Sequence, residues 1–169
     1  AVEHGKSFVV LDRPNPINGS DVQGNILQSE FATFVGKFPI PVRHGMTAGE
    51  LAKLFNESSW LGGGVKANLT VVPLTNWTRS QWYDETGLSF IKPSPNMPSL
   101  EAATVYPGTC LLEGIKINEG RGTETPFLVL GAPWINADSL TERLNKLELS
   151  GVKFQPHRYT PIAIEDAST

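Results

Sequence analysis

Two β-branched runs, SFVVLD at Ser7–Asp12 and ANLTVVPL at Ala67–Leu74, flank the clearest helix signal in the chain, TAGELAKLFNES at Thr47–Ser58. Thr47 and Glu50 stand at capping-box spacing ahead of Leu51, Leu54 and Phe55, so a helix start is specified by local chemistry alone. SFVVLD reads as a short buried strand ending at Asp12, and ANLTVVPL as a second strand. Strands alternating with helices imply an α/β layer architecture. Later segments extend the pattern. SLEAATVY reads as a short helix capped by Ser99, with Pro107 opening another turn. TPFLVLGAPW and VKFQPHRY read as strands. DSLTERLNKLEL reads as an amphipathic helix with Leu140, Leu144 and Leu147 on one face, stopped by Gly151. RPNPINGSDVQGN is turn and loop. Thr75 to Pro98 is a long polar-aromatic segment, and loops of that length in a compact domain are usually functional.

Composition narrows the partners. With 169 residues the chain can bury one sizeable core, and 40% hydrophobic with 18% charged residues suits a folded protein. A formal charge of −3 gives no polybasic surface for nucleic acid or anionic membrane. No apolar run approaches bilayer-spanning length. Cys110 is the single cysteine, which excludes an internal disulfide and a cysteine-rich zinc site. AVEHG reads as a helix tail with Gly5 as its C-cap, so the chain is expected to be a piece lacking upstream sequence. N-x-S/T triplets at Asn18, Asn56, Asn68 and Asn76 fit a secreted protein or ordinary loops, and both readings stay open.

Three constellations carry possible chemistry. INEGRGTETPF, Ile117–Phe127, lacks the lysine of a phosphate-binding loop and the third glycine of a dinucleotide fingerprint. Glu119 and Arg121 on a glycine-freed backbone remain, either converging on a ligand or forming a surface ion pair. VRHGMTAGE places Arg43 and His44 before a helix N-terminus, where an anion site, a general acid or base, or simple capping are the alternatives. NWTRSQWYDETG mixes Trp77, Trp82 and Tyr83 with Arg79, Asp84 and Glu85, the combination that carbohydrate sites use and that a hydrophobic loop anchor also shows. Cys110 lies in an apolar setting and reads as packing rather than as a nucleophile paired with His44. Carboxylate chemistry therefore rests on Asp12, Asp84, Glu85, Glu113 or Glu119. The three histidines show no ligand spacing, and no metal site is expected.

Taken in order, VVLDRPNPING, FVGKFPIPVRHGMTAGELAKLFN, NWTRSQWYDETGL, PSPNMPSLEAATVYPGTCLLEG and EGRGTETPFLVLGAPW closely resemble the NamZ-type exo-β-N-acetylmuramidases. The resemblance runs from about Ser7 to Tyr159. It implies a peptidoglycan hydrolase that removes terminal N-acetylmuramic acid (MurNAc) from non-reducing glycan ends. Family members pair a Rossmann-like N-terminal domain with a smaller α/β domain around a cleft and are typically exported, and the resemblance implies no cofactor. They also carry an upstream Pro-Glu-His-Gly stretch, whose glutamate is a leading candidate for the catalytic acid and which has no counterpart in this chain.

On that resemblance the chain comprises the last strand of a Rossmann-like domain, residues 1–20, followed by most of a mixed α/β domain, residues 21–169. Catalytic candidates are Glu119, Asp84, Glu85 and His44. Substrate-binding candidates are Asp12, Asn15, Arg43, Asn96, Tyr106 and Arg121, with Arg43 suited to the lactyl carboxylate. The expected partner is a MurNAc-GlcNAc peptidoglycan fragment, the missing half would come from the same parent chain, and the expected location is secreted or cell envelope. The alternative is a glycan-binding module without turnover.

Overall fold

The computed structural model describes residues 2–58 and 60–162. The described chain forms two compact units that divide between Phe90 and Ile91. In the first, β1 (Phe8–Leu11) pairs in parallel with β4 (Leu69–Val72), in register Phe8↔Leu69 through Leu11↔Val72. Parallel strands need a crossover, and α1 (Ala48–Glu57) supplies it. β1 is thus hydrogen-bonded across the boundary expected at residues 20/21. The capping box is present: Thr47 accepts from Glu50 N and the Glu50 carboxylate accepts from Thr47 N.

β1 is not buried. Phe8, Val9 and Leu11 are 51%, 58% and 70% exposed, because α1 covers one face of a two-stranded sheet and no element among the described residues covers the other comparably. Val10 and Val71 are the more shielded positions. The stretch read as loop after β1 holds a further strand. β2 (Gln23–Ile26) pairs antiparallel with β3 (Pro41–Arg43) through an irregular register. Around the last turn of α1, the rings of Phe38, Phe55 and Trp60 cluster at 4.6–6.0 Å. Asn56 is buried and bridges both backbone groups of Ala67. Asn18 is buried too, so two of the four N-x-S/T asparagines serve the fold.

In the second unit α2 (Leu100–Thr109) begins at Ser99, whose side chain accepts from Ala102 N, and runs into a 3-10 turn at Cys110–Gly114. Pro107 lies inside α2 rather than opening a new turn. Met97, Ala102, Ala103 and Phe127 are the buried apolar residues. The segment read as strand TPFLVLGAPW is not one. Phe127 sits at φ 66°, and only Asn118 and Gly131 make a lone antiparallel bridge. VKFQPHRY is likewise irregular, its Phe154 backbone held at both ends by the Asn145 amide. α3 (Ala137–Asn145) is capped by Asn136 and ends before Leu147, with Glu148 already at φ 50°.

Candidate functional site

In the first unit the site is built on the carboxyl end of β1 and the start of α1. Asp12 leaves the strand and turns its carboxylate onto the helix N-terminus. It accepts from Gly49 N at 2.7 Å, from Thr47 Oγ1 at 2.8 Å and from Arg13 N at 2.9 Å. A Cβ on Gly49 would come within 2.6 Å of Val71 and 2.8 Å of Asp12, so glycine is what lets helix and strand meet here. Asn15, also buried, donates to Met46 O and accepts from Ile17 N. These two substrate-binding candidates therefore brace the backbone that leads into α1.

His44 is half-buried, and its Nδ1 accepts from Met46 N at 3.0 Å. That acceptor role puts the ring proton on Nε2, and burial lowers the imidazole pKa from its usual value. His44 is a neutral donor near neutral pH. Arg43 donates to Asp21 and Gln23 at 3.0 Å and to Ile17 O, and its guanidinium lies over the Trp82 ring, 5.5 Å from the centroid. Its Nε is buried with no partner among the described residues. With Asp21 already beside it, Arg43 is less available to a substrate carboxylate than its place in the sequence implies.

Asp84 and Glu85 share a 3-10 turn, Tyr83–Thr86, but differ in use. Glu85 folds back to accept from Trp82 N at 2.7 Å. Asp84 is exposed and forms no ion pair or hydrogen bond among the described residues. Two further groups organise this unit. Arg79 donates to Gly19 O and Gly45 O, both at 3.0 Å, and pairs with Glu50. Asn18, at φ 61°, holds Ser20 N, Asp21 N and the Asp21 carboxylate. Arg79 belongs to the polar-aromatic constellation of the sequence but is taken up by the fold, and Asn18 lies in Asn-Gly-Ser-Asp, a legible turn signal.

In the second unit Glu119 and Arg121 do converge, on each other. Glu119 is 7% exposed and lies 2.7 Å from Arg121 Nε, an ion-pair distance without hydrogen-bond alignment. Arg121 Nη2 donates to Glu113 at 2.8 Å, and the guanidinium rests over Phe127, 5.4 Å from its centroid. Tyr106 meets Phe127 edge-on at 4.8 Å. Burial, then the nearby Cys110 and Glu113, raise the Tyr106 pKa. Tyr159, absent from the sequence candidates, donates to Asn118 O at 3.0 Å, and burial with the Glu119 charge raises its pKa. Asn96 stands apart from this cluster, half-buried, its backbone N–H donating to Ser94 Oγ at 3.4 Å. Cys110 Sγ lies 3.6 Å from Pro107 O, and burial, with Glu113 adding to it, raises the thiol pKa. Among the described residues no three His, Cys, Asp or Glu side chains group as metal ligands.

The fold recurs in solved structures. A crystal structure of a DUF1343 family protein from Bacteroides fragilis matches 95% of this chain and 42% of its own, with a TM-score of 0.87 at 39% identity. A second DUF1343 protein of the same organism matches 80% of this chain and 37% of its own, with a TM-score of 0.73 at 42% identity. The fold is thus the mixed α/β arrangement of that group of proteins. Family models for exo-beta-N-acetylmuramidase NamZ match along nearly the whole length, the N-terminal model over residues 1–101 and the C-terminal model over 104–168. The chain belongs to the NamZ family. A Bacillus subtilis relative, peptidoglycan beta-N-acetylmuramidase NamZ, is 51% identical over 161 residues, which are 95% of this chain and 38% of that protein. The chain therefore spans well under half the length of the relatives it matches.

Proposed function

We propose that the full-length protein is a glycoside hydrolase that releases terminal MurNAc from the non-reducing ends of peptidoglycan glycan chains. The observation that carries this is the 51% identity to a peptidoglycan beta-N-acetylmuramidase over 95% of the chain. The substrate would be a MurNAc-GlcNAc fragment, and the place of action outside the cytoplasm or in the cell envelope, where such glycans lie.

Within the first unit, Asp84 and His44 are the candidates whose reactive atoms stay free among the described residues. A carboxylate without an internal partner can accept a proton or orient a water, and a neutral imidazole with its proton on Nε2 can donate to a sugar oxygen. Glu85 and Glu119, both engaged with neighbours, act on Trp82 and Arg121 respectively. In the second unit Arg121, held by Glu113 and Glu119, presents a guanidinium of fixed orientation toward a polar ligand. Arg43, Asn15 and Asp12 order the loop that carries His44. The test is incubation of the full-length protein with a MurNAc-GlcNAc disaccharide and a para-nitrophenyl MurNAc glycoside. Free MurNAc is the expected product. Saturable binding with no product would replace this reading by a glycan-binding module.

A further inference from the structure

Three aromatic residues between Thr75 and Phe90 carry the carbohydrate reading, and their packing separates them. The Trp77 ring edge lies where a Cβ on Gly19 would come within 2.9 Å, and its Nε1 is buried, so Trp77 packs inside the unit. Tyr83 meets Phe90 edge-on at 5.6 Å and donates its hydroxyl to Ser89 O at 3.0 Å, so its ring and its polar tip are both taken up. Trp82 is different. One face lies under the Arg43 guanidinium, the backbone N–H is held by Glu85, and the residue is partly buried, with no ring partner besides Arg43 among the described residues. Arg43 is itself only 12% exposed, fixed by Asp21, Gln23 and Ile17 O.

We infer that Trp82 is a stacking platform for a pyranose ring of the glycan, with Arg43 on one face of the indole and the sugar on the other. This inference rests on the glycosidase reading above. A pyranose offers an apolar C–H face that packs on an aromatic π face, while its hydroxyls seek polar partners at the rim. An indole backed by a guanidinium that is itself held by Asp21, Gln23 and Ile17 O is ordered before the sugar arrives, so less conformational freedom is lost on binding. Glu85 is then a positioning residue, acting through the Trp82 backbone. The exposed Asp84, two residues after Trp82, supplies an acceptor for sugar hydroxyls. Arg43 becomes a positioning residue as well, which accounts for its having so many internal partners.

The experiment uses the full-length protein and a MurNAc-β-1,4-GlcNAc disaccharide. Trp82→Ala is expected to raise KM about 10-fold, with kcat moving far less, as loss of one binding contact requires. Trp82→Tyr keeps an aromatic face and is expected to stay within about 3-fold of the wild-type KM, while Trp82→Leu resembles alanine. If Trp82→Ala fails to fold, the tyrosine and leucine variants decide the matter. Saturating MurNAc is expected to change the tryptophan fluorescence of the wild type, and Trp82→Tyr should remove that change while binding persists. Equal KM values for tyrosine and leucine, or an undiminished fluorescence change in Trp82→Tyr, would overturn the platform. A wild type that neither binds nor cleaves the disaccharide would instead overturn the glycosidase reading, and the platform with it.

Discussion

Replacing Asp12 separates a structural carboxylate from a substrate-binding one. Its side chain accepts three hydrogen bonds, from Gly49 N, Thr47 Oγ1 and Arg13 N. Alanine removes a helix-capping acceptor, which costs about 1 kcal/mol, and a favourable charge at a helix N-terminus, about 0.5 kcal/mol. It also leaves the Thr47 hydroxyl, on a residue only 2% exposed, without its acceptor, for about 1–2 kcal/mol more. The sum is about 2–4 kcal/mol, concentrated where α1 meets β1 and β4. Hydrogen–deuterium exchange of the 48–57 peptide is the direct assay, because it reads opening of α1 whatever the rest of the protein does. Protection in that helix should fall by roughly 30- to 1,000-fold, one decade for each 1.4 kcal/mol. Asp12→Asn keeps one oxygen acceptor and should lose about half as much in free energy. Combined with Thr47→Ala, the two losses should be clearly less than additive, since each removes the same bond. Unchanged protection in Asp12→Ala together with a raised KM would refute this reasoning and return Asp12 to the substrate.

Other substitutions test the same geometry from different sides. Gly49→Ala drives a Cβ into Val71 and Asp12 and should destabilise the first unit by about 1–3 kcal/mol in chemical denaturation. His44 is protonated less readily in the folded state than in the unfolded one. As pH falls below about 6.5 the unfolded chain gains a proton that the fold resists, so stability declines there. Denaturation midpoints between pH 7 and 5 should drop less steeply in His44→Gln than in the wild type, and equal slopes would contradict the assignment. Cys110, its thiol pKa raised by burial and by Glu113, should react with a thiol reagent at pH 7.5 several-fold more slowly than the same cysteine in denaturant.

What could be read in advance was local. The α1 start needs only Thr47 and Glu50 at the right spacing, and β1 and β4 are β-branched runs on either side of it. The strands assigned to TPFLVLGAPW and VKFQPHRY failed for a non-local reason. A strand exists only against a partner, and here the chain offers Phe127 a positive φ, Gly131 one isolated bridge, and Phe154 an asparagine side chain. β2 and β3 are not legible in the sequence, because QGNI and PVR contain the residues that usually argue against strands. At the site, the pairing of Glu119 with Arg121 was one of two open readings, and their separation in sequence could not choose between them. Arg43 over Trp82 joins residues 39 positions apart, and nothing in either motif points to the other. The partner of Asp12 was equally hidden: a carboxylate at a strand end looks the same whether it faces a ligand or caps a helix.

The most direct measurement is the product released by the full-length protein from a reduced glycan chain of alternating MurNAc and GlcNAc with MurNAc at its non-reducing end. The account predicts free MurNAc as the first product, appearing without internal fragments. Internal fragments, or intact glycan after prolonged incubation, would contradict it.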